Sequence, residues 1–267
     1  MSNHKELSEN KANMNSENAH ESHGEKHSPL AQFEVKKIVD IKVGNYDLSF
    51  TNSALYMVIA TFLIIAFMIF ATRKKAMIPS RLQTIAEGLY NFTLGIVKGA
   101  IGDEGMKFFP LAFTIFTFIL LCNCLGMTPY SFTATSQIIV TFSLAMISFL
   151  TVTIFAIVRN GFGGFLHMFL PSGVPKFMAP LIFAIEFFSF LIKPITLSVR
   201  LFANMVAGHV LLKVVAGFII SLGVIFGAFP FLFSVVMTGF ELFVAVLQAY
   251  IFAILVCVYL GEVTKEH

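Results

Sequence analysis

Eight polar side chains interrupt the last two apolar stretches of this chain. Glu186, Lys193, Arg200, Asn204, His209 and Lys213 lie in the first, Glu241 and Gln248 in the second. A charge at mid-bilayer costs at least ~2.5–3.5 kcal/mol even on the most lenient scale. One stray charge is tolerable as packing, but eight polar groups in two helices need a purpose. Carboxylates, an imidazole and fixed cations in apolar surroundings are the parts of an ion path.

Spacing orders them. Glu186, Lys193 and Arg200 are seven apart, and Asn204 is eighteen beyond Glu186. At about 100° per residue these four share one stripe of a helix. His209 falls roughly opposite Arg200, and Lys213 follows one turn later. Glu241 and Gln248 are again seven apart and share a face of the last helix. Each has a plainer reading. Glu186 and Lys193 would neutralise one another, but a rise of about 10 Å separates them. Lys213 is expected to snorkel to an interface. Asn204 and Gln248 would serve as helix–helix glue, and His209 as a satisfied core histidine. Arg200 resists such a reading. It cannot lose its proton, it sits near the middle of the long segment, and it needs an anionic partner.

The elements that must position these residues are membrane helices. The chain has 267 residues, 57% hydrophobic and 12% charged, with 32 Phe and no Trp. That charged fraction is about half of what a soluble domain carries. The net charge of +3 forms no basic stripe, which excludes a nucleic-acid partner. Cys122, Cys124 and Cys257 all sit in apolar runs and read as small apolar residues, so no disulfide, metal site or cofactor is expected. Residues 1–29 are polar, lack the apolar core of a secretory signal, and read as a disordered tail. His20, His23 and His27 cluster there without a scaffold to hold a metal.

Residues 30–267 read as one all-α membrane domain with about five crossings. The expected spans are 53–72, 108–127, 136–158, 177–222 and 229–260. Residues 80–101 form a different element, an amphipathic helix at the interface. Ser80 and Gln83 make a capping pattern, and Leu82, Ile85, Leu89, Phe92, Ile96 and Ala100 recur at helical spacing. Packing on the other helices is the alternative for that helix. Arg73, Lys74 and Lys75 after the first span, and Arg159 and Lys176 around the Gly161–Gly164 loop, place those links inside. The fourth stretch is about 65 Å long as one helix, so it either crosses twice or lies strongly tilted; the single phase of the Glu186–Asn204 stripe favours one long tilted helix, followed by a second. Five crossings leave the N-terminus outside and the C-terminus inside. No internal repeat is visible, which counts against an inverted-repeat transporter.

The run Leu197-Ser198-Val199-Arg200-Leu201-Phe202-Ala203-Asn204-Met205-Val206-Ala207-Gly208-His209 resembles the signature of subunit a of F-type ATP synthases. The run Glu241 to Phe252 resembles that family's final helix, and Glu186 and Lys193-Pro194 fit its order. The likeness covers the chain from about Ile38 onward. Many bacterial members carry Glu where this chain has His209 and His where it has Glu241; mitochondrial and alphaproteobacterial members share the arrangement seen here. The exchange suggests that the two side chains meet. The resemblance implies a non-catalytic, stationary proton-channel subunit beside a ring of c subunits, held by peripheral-stalk b subunits and membrane lipid. It implies a bacterial inner membrane, with the mitochondrial inner membrane as the alternative. Arg200 would pair with the ring carboxylate and block leaks. His209 and Glu241 would line the outer half-path and Glu186, with Lys193, the inner one. Asn204 and Gln248 would orient Arg200 or water. An ion-coupled secondary transporter is the alternative function. A haem-carrying subunit is disfavoured, because only His167 and His209 lie in the membrane part.

Overall fold

The computed structural model describes residues 37–39, 42–43, 46–47, 49–73, 80–128, 132–170, 175 and 177–265. The tail 1–29, with His20, His23 and His27, and Lys74, Lys75, Pro129 and Lys176, lie outside the described residues.

Among the described residues four short strands precede the first membrane-length helix: β1 (Lys37–Val39), β2 (Lys42–Val43), β3 (Tyr46–Asp47) and β4 (Phe50–Thr51). β1 pairs antiparallel with β4, and β2 with β3. The chain then passes into helix α1 (Asn52–Thr72), whose first turn is capped by the Thr51 hydroxyl accepting from the Ala54 N–H at 3.4 Å. Hydropathy alone gives 53–72 for this span.

Helix α2 (Arg81–Ala100) is the amphipathic one. Ser80 caps it by accepting from the Gln83 N–H at 3.3 Å. The Gln83 side chain turns to Glu87 at 2.8 Å, so the capping box forms only half. The apolar face of α2 divides its duties. Thr93, Ile96 and Val97 are buried against the bundle, while Leu82, Ile85 and Phe92 stay exposed. At its far end it meets the last helix so closely that a Cβ on Gly261 would lie 2.7 Å from the Ala100 carbonyl. The helix therefore both packs on the bundle and presents apolar side chains outward.

Helix α3 (Phe109–Gly126) follows a 3₁₀ turn, Asp103–Phe108, and α4 (Ile138–His167) follows another, Ala134–Ser136. The fourth helix runs beyond the expected 158. Gly161, at φ 69° and ψ 172°, is not helical and kinks the chain, so two helical stretches meet there; the residues expected to be a glycine loop form the second stretch, which carries Phe165 inward. Helices α5 (Ala179–Phe226) and α6 (Ala228–Lys265) complete the chain. In α5 the interruption lies at Gly223, φ 71°. Five helices are long and apolar enough to cross a membrane. The 45 residues Ala179–Gly223 span about 68 Å, over twice a hydrocarbon layer of about 30 Å, so α5 must lie steeply tilted.

In hydrocarbon, hydroxyls need internal partners. Thr61, Thr117 and Ser143 each donate to the carbonyl four residues back, at 2.9, 2.7 and 2.7 Å. The core lies where α3, α5 and α6 meet, built on Phe116, Ile119, Leu201, Met205 and Phe252. Ala245, Ala249 and Ala253 are fully buried at four-residue spacing along α6. Small side chains let neighbouring backbones approach, which drives helix association in lipid. A second cluster, Phe165, Phe169, Phe190 and Val263 with Phe183 and Phe187, closes the end of the bundle near the C-terminus.

Candidate functional site

The α5–α6 seam holds the most buried charged groups. His209 Nδ1 lies 3.8 Å from Glu241 Oε1, with side chains 13% and 6% exposed. Gly208 makes this possible, since a Cβ there would stand 2.6 Å from the same oxygen. Both Glu241 oxygens are buried and make no hydrogen bond. Glu241 borders a cavity of about 180 Å³ lined also by Asn204, Gly208, Leu211 and Met237. That volume admits several water molecules, at about 30 Å³ each. The other imidazole nitrogen, Nε2, is 2.9 Å from the Thr133 hydroxyl, contributed by the segment between α3 and α4. Lys213, one turn beyond His209, is half-buried.

Buried polar atoms continue along α6. Gln248 is 2% exposed, and its Oε1 has no partner. Between it and Glu241, the Ala245 carbonyl accepts from Asn123 Nδ2 at 3.2 Å; Asn123 is fully buried, and its Oδ1 is also unpaired. Unsatisfied buried oxygens cost about 1–3 kcal/mol each, so such a column persists only with a use.

Arg200 stands elsewhere on α5. Leu197, Ser198, Leu201 and Met205 are buried, and Ser198 Oγ meets Thr141 Oγ1 of α4 at 3.1 Å. That side is held by the bundle, so Arg200 projects from the opposite one and is exposed. Among the described residues no carboxylate lies within ion-pair reach of its guanidinium, and neither Asn204 nor Gln248 hydrogen-bonds to it. Its exposed neighbours Thr196, Ala203 and Ala207 are small.

Toward the other end of α5, Lys193 Nζ sits 4.2 Å above the ring of Tyr259 on α6. The two border a pocket of about 30 Å³ with Ser148, Phe190 and Pro194. Glu186 is exposed and unpaired in the chain, with no contact to Lys193. Of the residues singled out in the sequence, His209 and Glu241 come together, Asn204 lines the cavity that Glu241 borders, Gln248 lies further along the same seam, and Arg200, Lys193 and Glu186 stand apart. Sequence reasoning missed Thr133, Asn123, Gly208 and Tyr259. Asn123 alone carried a signal, as an amide inside an apolar span. Among the described residues no three His, Cys, Asp or Glu side chains converge to hold a metal.

A tilted helical bundle with a buried acid–base pair on one seam and an unpaired cation on an open flank defines a membrane protein built to move ions. Comparison with known proteins gives the family. The chain matches the family described as ATP synthase A chain over residues 54–261. It is 47% identical over 239 residues to the ATP synthase subunit a of Wolbachia sp. subsp. Drosophila simulans (strain wRi), covering 89% of this chain and 99% of that protein. The chain belongs to the ATP synthase A chain family, and the secondary-transporter alternative falls with that match.

Proposed function

We propose that this chain is the stationary proton-carrying subunit of the membrane sector of an ATP synthase in a bacterial inner membrane. It would move protons through two offset half-paths to and from carboxylates on a rotating ring of c subunits, with peripheral-stalk b subunits holding it still. The observation that carries this reading is Arg200: a permanent cation midway along the apolar segment Ala179–Gly223, exposed, with no anion within ion-pair reach among the described residues. Such a charge calls for a carboxylate on a partner in the membrane. The small residues flanking it leave room for a helix to pass close by.

The chemistry follows from the side chains. A guanidinium beside a passing carboxyl favours its ionised form. Arginine cannot relay a proton, so the same residue separates the two half-paths. Lysine would serve less well, because its proton is lost readily on burial. His209, Glu241 and the cavity with Asn204 form the outer path, and Gln248 continues the polar seam toward the ring. Glu186 and Lys193 line the inner path. The driving field is worth about 2.3 kcal/mol per charge per 100 mV, so several protons must pass for each ATP. This chain supplies no nucleotide chemistry.

A reciprocal exchange tests the outer path. Proton uptake into vesicles bearing the assembled complex is expected to collapse in His209→Glu, which sets two carboxyls side by side. It is expected to return in large part when Glu241→His is added. Equal loss in the single and double variants contradicts a shared role for the pair.

A further inference from the structure

Thr133 is 4% exposed, and its hydroxyl touches two groups: the Gly126 carbonyl at 3.1 Å and His209 Nε2 at 2.9 Å. It stands at the start of the 3₁₀ turn Ala134–Ser136, yet does not cap it. Ser136 Oγ donates to the Thr133 carbonyl at 2.6 Å and holds the backbone in place. Gly126 admits the side chain, since a Cβ there would collide with the Thr133 methyl carbon.

A hydroxyl has one proton to give. A carbonyl oxygen can only accept, so in its 3.1 Å bond to Gly126 the Thr133 hydroxyl is the donor. A hydroxyl that donates to that carbonyl can only accept from His209, so Nε2 carries the imidazole hydrogen. Nδ1 is then the basic nitrogen, and it faces Glu241 Oε1 at 3.8 Å. The hydrogen bond at one ring nitrogen sets which nitrogen does the chemistry.

We propose that Thr133 is a positioning residue, holding His209 as the Nε2–H tautomer so that Nδ1 exchanges protons with Glu241. This rests on the proton-path reading given above. A proton leaves Glu241 for Nδ1, directly on closer approach or through one water. The products are a carboxylate and an imidazolium, and the imidazolium gives up the Nδ1 proton to water while Nε2–H stays on Thr133. With the other tautomer, Nδ1 would already be protonated and unable to accept.

The test is ¹⁵N NMR of the histidine-labelled complex in lipid vesicles, with His209 signals identified by their loss in His209→Asn. Neutral His209 is expected to carry its hydrogen on Nε2 in the parent and in Thr133→Ser, and to shift toward Nδ1–H in Thr133→Val. Proton flux is expected to fall roughly tenfold in Thr133→Val and to recover in Thr133→Ser, the scale seen when a group orienting a histidine is removed. Nδ1–H in the parent overturns the proposal even if Thr133→Val fails to assemble. So does an unchanged tautomer in Thr133→Val. The expected tautomer shift with unchanged flux upholds the assignment of Thr133 and instead removes His209 from the proton path.

Discussion

The two halves of the α5–α6 seam solve different problems. In the half proposed as the outer path, His209 and Glu241 are buried and face each other at 3.8 Å. In the inner half, Glu186 is exposed and Lys193 packs on Tyr259 at 4.2 Å. A buried pair must be placed by its surroundings, because neither group can turn to bulk water for a partner. Glu186, on the outward face of α5, is not packed against its own bundle in this way. The outer half therefore depends on close geometry and the inner half on little more than charge and access. Substitutions should hurt unequally across the seam.

The largest expected effect on this contrast is at the acid. Glu241→Gln removes the exchangeable proton and should lower proton flux by a factor of about 10²–10⁴, the range for loss of a general acid–base group. Vesicle flux assays check this. Next is Gly208→Ala, whose added Cβ would press on the Glu241 oxygen at 2.6 Å. Flux should drop by up to about 10²-fold, a cost that misplacement of about 1 Å can impose. Asn123→Leu should act on stability instead. Loss of its bond to the Ala245 carbonyl is worth about 1 kcal/mol, read as a lower melting temperature of the purified complex. Across the seam, Tyr259→Leu removes a contact of about 0.5–2 kcal/mol and should change flux only severalfold. Smallest of all, Glu186→Gln should lower flux less than about threefold, because an exposed side chain with no partner among the described residues leaves no buried group unsatisfied when it is changed. A drop at Glu186 as deep as at Glu241 would erase the distinction between the halves.

Legibility in the sequence followed the same divide. Hydropathy and charge locate helices α1 and α3 to within a residue or so, since twenty apolar residues in a row have few other uses. The polar groups on α5 and α6 stand out because charge in lipid is costly. The run after Arg159 was less legible: its glycines suggest a loop, but Gly161 only breaks the helix at φ 69°. Spacing places His209 and Glu241 on two helices, and only the fold shows which atoms meet. Thr133 and Gly208 gave no signal at all. A threonine between two helices and a glycine in an apolar run are ordinary until another element is brought against them. Lys193 and Glu186 share a stripe in the sequence, yet the lysine turns to a ring 66 positions away, which periodicity along one helix cannot reveal.

The central claim is that Arg200 is both the partner of a ring carboxylate and the barrier between the half-paths. It is most directly tested by Arg200→Ala in the assembled complex, measuring ATP synthesis and passive proton leak in the same vesicles. The account expects synthesis to vanish, assembly to persist, and a leak to open that the parent lacks. Normal coupled synthesis in Arg200→Ala would contradict it.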